Sequence, residues 1–410
     1  MSLNKHERLN NGIDAILVQR ESMLSASILF GVKAGSAMEN ETNAGISHLI
    51  EHSVFRGTKR RDSIQIKNPI EEVGGELNAF TSKNFTVYFS KIPTMKISEA
   101  IDILSGLVFE PNFKPEDIER EKSIILEEIA SYEDDPGSIV MENLYQNIYD
   151  EDFARPVLGY KETITNINYD MIMEYYGKFY NPLNVDVVIV GKFDEDKVLS
   201  QLKSINSKKD HFTFKRKIKS PKIKNENVKI ERTKKDLSSS YMVQGFEAPP
   251  KLSKDYYATL VLNTFLGSGM SSLLFSKLRE ENALVYEVAS HYEAYPLSGL
   301  LLFFTLSSNE KLPVLKDKFQ EIIEMIQNYD EVTKWFNYGK NRLIGQLTLS
   351  MENNLSLALT TFDLYVNYDK IITMEEFIDR IENVNIEDVI RIAKDISQSN
   401  RYISLLYPDK

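Results

Sequence analysis

Two histidines and a glutamate in the stretch Gly45-Ile46-Ser47-His48-Leu49-Ile50-Glu51-His52 carry the clearest chemical signal in the chain. His48 and His52 stand four residues apart, so on a helix both imidazoles leave from one face. Two neutral imidazoles at that spacing can hold one Zn²⁺ ion. Glu51 comes one turn after His48 and can act as general base on a metal-bound water without being a ligand itself. The order His-x-x-Glu-His reverses the commoner His-Glu-x-x-His of zinc helices. With 5 histidines in 410 residues, two of them in one such motif is a specific signal. An ordinary amphipathic helix could carry the same three residues. Here, however, Ile46, Leu49, Ile50 and Val54 occupy the other sides, which predicts a helix buried nearly all round. Burying two imidazoles and a carboxylate without partners is costly, and a metal resolves that cost.

A two-histidine site needs a third protein ligand. The chain has no cysteine, so carboxylate and histidine are the available donors. A helix is predicted from Pro115, a favoured first-turn residue, through Ala130, fading in Glu133-Asp134-Asp135-Pro136-Gly137. The helix dipole accounts for Glu116 and Asp117 at its start, but not for the acidic residues further on. Glu121 and Glu128 share a face two turns apart. By spacing alone Glu121, Glu127 and Glu128 are all candidates.

The elements around these residues are readable. Strands are predicted at 15–18 and 27–32, before the histidine helix, which ends at Phe55-Arg56-Gly57-Thr58. A short helix over 63–73, interrupted by Pro69, stops at Gly74-Gly75. Residues 76–81 and 85–89 then form a hairpin around Ser82-Lys83-Asn84. If the first of these strands is a sheet edge beside the metal, it can take a peptide by strand addition. Helices follow at 97–108, 170–179 and 194–202, with a buried strand at 185–191. Residues 208–229 are dense in lysine and read as an exposed linker. The second half repeats the order of the first, with a strand at 240–246 and a helix at 256–266 that has no metal motif. His211 and His291 have no partner at ligand spacing. Gly267-Ser268-Gly269-Met270-Ser271-Ser272 is a glycine-rich turn. It is not a phosphate loop, because no Gly-Lys-Ser/Thr follows.

The net charge of −11 argues against a nucleic-acid partner, which needs a basic face. The most apolar run, 300–306, is far shorter than a membrane span. Met1-Ser2-Leu3-Asn4-Lys5-His6 shows neither an apolar leader core nor an Arg-rich targeting pattern, so a cytoplasmic location is expected.

Taken together, these residues resemble the pitrilysin-type zinc peptidases of the His-x-x-Glu-His kind. Within them the chain looks like the branch of the mitochondrial processing peptidase β subunit and bacterial processing proteases. The family places its ligand glutamate a fixed distance after the motif, and Glu128, 76 positions after His52, matches. Gly45 and Phe55-Arg56-Gly57-Thr58 are also similar, although relatives more often have Lys at the position of Arg56. Glu121 matches an acidic position that supports the site without binding metal. Gly74-Gly75-Glu76-Leu77-Asn78-Ala79-Phe80-Thr81 resembles the family's substrate-binding edge strand, which implies substrate contacts at Gly75, Glu76, Asn78, Ala79 and Phe80. Arg279 and Tyr286, seven positions apart, match a pair in the family's second half. The resemblance implies that Arg279 holds the substrate backbone and Tyr286 helps stabilise the oxyanion. Leu273, where relatives often have Arg, is a departure outside the pair.

The resemblance implies an α+β protein of two similar halves, each an antiparallel-rich sheet packed with helices. A zinc-binding catalytic domain is expected over 1–210, a linker over 211–228, and a repeat domain carrying the Arg/Tyr pair over 229–410. The implied activity is that of a zinc metalloendopeptidase. One Zn²⁺ per chain would be held by His48, His52 and Glu128, with Glu51 as base. Substrates would be short or unfolded peptides, cut inside the chamber of a homodimer whose zinc sites face the partner's Arg279 and the partner's Tyr286. No nucleic-acid or membrane partner is expected. Two other readings share the fold: a non-catalytic scaffold subunit of a hetero-oligomeric processing protease, and a dedicated peptide-maturation protease. The intact motif favours catalysis over a scaffold.

Overall fold

The computed structural model describes residues 5–205, 218–224 and 226–409. The chain divides into two compact units. The first comprises Met1–Ser131, Arg155–Lys219 and Ser350–Thr373, and the second Tyr132–Ala154, Ser220–Leu349 and Met374–Lys410.

The first unit is built on six strands: β1 (Lys5–Arg8), β2 (Asp14–Gln19), β3 (Ser25–Val32), β4 (Glu76–Thr81), β5 (Thr86–Pro93) and β6 (Val185–Gly191). Their order across the sheet is β1-β2-β6-β3-β5-β4, with β2 and β6 parallel and every other pair antiparallel. The central strand β3 is buried from Ala26 to Val32 because both sheet faces are covered, which explains its nearly unbroken apolar run. Side chains alternate between faces. Phe30 meets Phe109 of the helix Ile97–Phe109 at 6.5 Å between ring centroids. Its neighbour Gly31 lies under Phe362 of the helix Asn354–Tyr368, on the other face. A Cβ at Gly31 would sit 2.1 Å from that ring, so only glycine fits.

The second unit is built on five strands: β7 (Lys229–Lys234), β8 (Ser240–Glu247), β9 (Glu287–Ala294), β10 (Gly299–Ser307) and β11 (Arg401–Pro408). Their order is β7-β11-β8-β10-β9, again with one parallel pair, β7 with β11. This is the first sheet's pattern without β1, so the repeat expected from the sequence is present strand for strand. The helix Pro136–Ile148 packs on β8 and β11 through Val140, Leu144 and Ile148.

The units differ from contiguous domains over 1–210 and 229–410. Each takes a segment from the other half of the sequence: 350–373 joins the first unit and 132–154 the second. The reason is the burial of one apolar helix stripe on each sheet, by Leu357, Ala358, Phe362, Leu364 and Tyr365 in the first unit and by the Pro136–Ile148 helix in the second. Most of the expected linker, 206–217 and 225, lies outside the described residues. Of the rest, Ile223 forms an antiparallel bridge with Tyr149, and Lys219 exchanges hydrogen bonds with the Asn84 side chain. No helix among the described residues is long and apolar enough to cross a membrane.

Candidate active site

The histidines lie on the helix Ile46–Val54. Gly45 precedes it at φ 91°, a left-handed conformation that favours glycine. A Cβ there would also meet the Leu158 carbonyl oxygen and Ile164 Cδ1 at 2.6 Å. The start of the helix is held by Glu39, whose two carboxylate oxygens accept from Gly45 N at 2.7 Å and Ser47 N at 2.9 Å. Burial pushes the Glu39 carboxyl up to about 7, against the opposing pull of those N–H groups, the Ser47 hydroxyl and Arg155. The Ser47 hydroxyl in turn shares a 2.7 Å hydrogen bond with Tyr175 Oη. The residue next to His48 is thus fixed on both its backbone and its side chain.

The two imidazole centroids are 4.5 Å apart. His48 Nε2 lies 3.9 Å and His52 Nε2 3.7 Å from the carboxylate of Glu128, on the helix Pro115–Asp134. Among the described residues, His48, His52 and Glu128 are the one group whose donor atoms converge, all within 4.8 Å of each other. Of the three glutamates open by spacing, Glu128 faces both imidazoles. Glu121, two turns earlier, accepts from His52 Nδ1 at 3.0 Å and also pairs with Arg56.

The electrostatics suit a metal. Burial, and then the charge of His52, hold His48 down to about 4, so its imidazole is neutral and able to coordinate. Its Nδ1 is buried with no hydrogen-bond partner among the described residues. Burial also opposes protonation of His52, but Glu121, Glu128 and Glu51 outweigh it and raise its pKa. At Glu121, burial acts upward and is outweighed by His52 and Arg56, which leave the carboxylate below its ordinary range. Two imidazoles and one carboxylate are a donor set that zinc takes. The hydrogen bond of His52 to Glu121 is the outer support that such a ligand commonly has.

Glu51 is buried on the same helix. Its Oε2 accepts from the Thr81 hydroxyl at 2.6 Å. Burial raises its pKa, aided by the charge of Glu128, while Thr81 and His52 act in the opposite direction. Thr81 ends β4, which is the edge of its sheet. Ser82 N donates to Phe85 O at 2.8 Å, which sets the phase of the β4–β5 ladder. Opposed residues alternate between bonded and non-bonded pairs. Phe80, Asn78 and Glu76 therefore bond to β5, and the backbone groups of Leu77, Ala79 and Thr81 face the open edge. Of Gly75, Glu76, Asn78, Ala79 and Phe80, the residues expected to touch substrate, all but Gly75 lie on β4 and only Ala79 turns its backbone outward. The Asn78 side chain accepts from that Ala79 N–H at 2.8 Å.

Residues 15–161 match the family model described as Insulinase (Peptidase family M16), and residues 166–341 match Peptidase M16 inactive domain. The chain belongs to peptidase family M16. An M16 relative from Rickettsia felis, described as an uncharacterized zinc protease, is 29% identical, covering 98% of this chain and 97% of its own. The uncharacterized zinc protease YmxG of Bacillus subtilis is 28% identical, covering 98% of each. A protease from Helicobacter pylori shares the fold, with a TM-score of 0.87 at 21% identity over 99% of this chain and 100% of its own.

In the second unit, Arg279 lies on a six-residue π-helical stretch, Phe275–Glu280, with its guanidinium 5.0 Å from the Phe275 ring centroid. Tyr286 directly precedes β9 and is 58% exposed. Sequence spacing does not give the contacts of Glu39 or the outward backbone phase of Leu77 and Thr81. Glu39 bonds groups six and eight residues ahead, outside the local spacing of a capping box. The outward phase of β4 is set by its turn.

Proposed function

We propose that the protein is a zinc-dependent endopeptidase that takes extended peptides on the edge of β4. The observation that carries this reading is the meeting of three elements: the His48–His52–Glu128 donor set, a buried carboxylate at Glu51, and an open strand edge joined to that carboxylate through Thr81.

His48, His52 and Glu128 would hold the ion. Zinc bound there supplies Lewis acidity, which makes a water more acidic and a carbonyl more electrophilic. The chain's own residues do the rest. A peptide pairs with the outward N–H and C=O groups of Leu77, Ala79 and Thr81, which brings an extended backbone alongside Glu51. Asn78 releases the Ala79 N–H as the peptide arrives. Glu51 takes a proton from the attacking water and returns it to the leaving amine nitrogen. Its burial keeps its conjugate acid weak enough to hold that proton between the two steps. Glu121 and Arg56 keep His52 in one tautomer and orientation.

Arg279 and Tyr286 complete the site in this reading, contributed across a homodimer that encloses short or unfolded peptides. The exposed Tyr286 is free to serve a partner's site. Mixing Glu51→Gln with Tyr286→Phe chains should then restore part of the activity, and a dead mixture with proven subunit exchange would refute the arrangement.

The direct test is mass spectrometry of a mixed peptide pool treated with wild type and with Glu51→Gln, both loaded with zinc. Cleavage by wild type alone supports the reading. Cleavage by both variants sinks Glu51 as the base, and cleavage by neither sinks the peptidase reading for the isolated chain.

A further inference from the structure

We infer that Thr81 is a positioning residue for Glu51, one that commits one carboxylate oxygen and leaves the other to carry the proton. The inference rests on the peptidase reading above.

The hydrogen-bond count around Thr81 has one solution. Its hydroxyl has a single proton and two acceptors in reach: Glu51 Oε2 at 2.6 Å and Thr86 Oγ1 at 3.3 Å. The Thr86 hydroxyl donates to the Ala34 carbonyl at 2.9 Å, so towards Thr81 it can only accept. A short bond to a carboxylate is charge-assisted and outweighs a long one to a neutral hydroxyl. The Thr81 proton therefore goes to Glu51. With Oε2 occupied, no hydrogen bond is made by Glu51 Oε1 among the described residues, and Oε1 is the oxygen left to exchange a proton with water.

Two features make Thr81 more than a surface donor. Threonine is stiff at χ1, and in a strand its side chain has little choice of direction, so the hydroxyl is fixed by the backbone of β4. That same backbone turns its N–H and C=O to the open edge. A peptide that pairs at Thr81 thus meets the residue whose side chain holds the base. The distance between the seated peptide and the Glu51 carboxylate is set through one residue rather than through a chain of packing contacts.

The test compares Thr81→Val, which keeps the shape and loses the hydroxyl, with Thr81→Ser, which keeps the hydroxyl. The probe is an internally quenched peptide built on a cut site mapped with wild type. Thr81→Val should lose about ten- to a hundredfold in kcat, the size expected for a hydrogen bond to a charged group. Its KM should stay within about twofold, because the backbone that pairs with peptide is unchanged. Zinc content and melting temperature should match wild type, and Thr81→Ser should recover most of kcat. Wild-type kcat in Thr81→Val overturns the inference. So does a loss confined to KM, which would make Thr81 a substrate contact, or a Thr81→Ser enzyme as slow as Thr81→Val, which would make the methyl group the cause. A wild type that cuts no peptide fails earlier, at the peptidase reading, and takes the inference with it.

Discussion

Zinc affinity should report directly on Glu121. With His52 Nε2 turned to Glu128, the proton of the neutral imidazole must sit on Nδ1, where it is donated to Glu121 Oε2 at 3.0 Å. The other Glu121 oxygen receives Arg56. Glu121→Gln keeps the shape but offers one oxygen to two donors, so one of them must face an amide N–H. Glu121→Ala removes both acceptors and leaves Arg56 without its counter-charge. Losing an outer partner of a ligating histidine costs about 10–100-fold in metal affinity. We place Glu121→Gln near tenfold and Glu121→Ala near a hundredfold, about 1.4 and 2.7 kcal/mol. One effect opposes this. Without Glu121 the His52 pKa falls, and protons compete less with zinc. Competition against a chromogenic chelator at pH 7 and again at pH 9 separates the two, because proton competition weakens as pH rises and the orienting effect does not. Wild-type affinity in both variants at pH 9 would refute the role assigned to Glu121.

Three further outcomes are expected. In the metal-free protein His52 is raised above 6.5 and must lose its proton on binding, whereas His48, held at about 4, is already neutral. Zinc affinity should therefore fall as pH drops below the His52 pKa, with close to one proton released per ion. Calorimetry in buffers of different ionisation enthalpy counts that proton, and a count of zero would contradict the assignment. The same shift adds stability to the metal-free protein below pH 6.5 that is lost as pH rises through the folded-state pKa. Phe362→Ala should cost about 3–5 kcal/mol, the range for deleting a buried phenyl ring. Hydrogen exchange should then quicken in β3 and β6 although the mutation lies in the other half of the sequence, and unchanged protection there would contradict the division into units. Glu39→Ala strands the Gly45 and Ser47 N–H groups, at about 1–3 kcal/mol for a buried donor without a partner. It should lower both melting temperature and zinc affinity, and a change in neither would remove Glu39 from the support of the helix.

Some of this molecule could be read from sequence because the relevant information is local. His48, Glu51 and His52 occupy one turn and a third of helix, so their spacing alone sets a shared face. The hairpin of β4 and β5 is marked by its turn residues, and the buried strand β6 by a run of valine and isoleucine broken only by Asp186. The rest depends on long-range facts. The Pro136–Ile148 and Asn354–Tyr368 helices show apolar stripes, but a stripe does not say which sheet it will cover. That choice is made by Gly31, a gap in β3 into which Phe362 fits. Helical spacing leaves Glu121, Glu127 and Glu128 as equal candidates; the family interval after His52 ranks them by resemblance, and the contacts of the Pro115–Asp134 helix with the two imidazoles rank them by geometry. The substrate motif identifies β4 but carries no ladder phase, so it does not tell the outward-facing Leu77 and Thr81 from Glu76, Asn78 and Phe80, which bond to β5.

The internal repeat shows how little separates a half with a converging donor set from one without. Both sheets run in the same strand order, and in both a helix packs on the edge strand: Ile46–Val54 on β4, and Tyr256–Gly267 on β9. In the second helix the buried positions are almost all apolar or aromatic, and its two buried threonine hydroxyls bond within the helix. Thr259 donates to the Asp255 carbonyl at 2.9 Å and Thr264 to the Leu260 carbonyl at 2.8 Å, each one turn back. That helix carries no histidine and no carboxylate, and so offers no donor set for an ion. In the first helix His48, Glu51 and His52 cannot be satisfied by their own turn, and their demands recruit Glu128, Thr81 and Glu121 from three other places in the chain. The backbone is common to both halves. The donor set belongs to side chains that the fold alone would not have required, together with the neighbours their burial makes necessary.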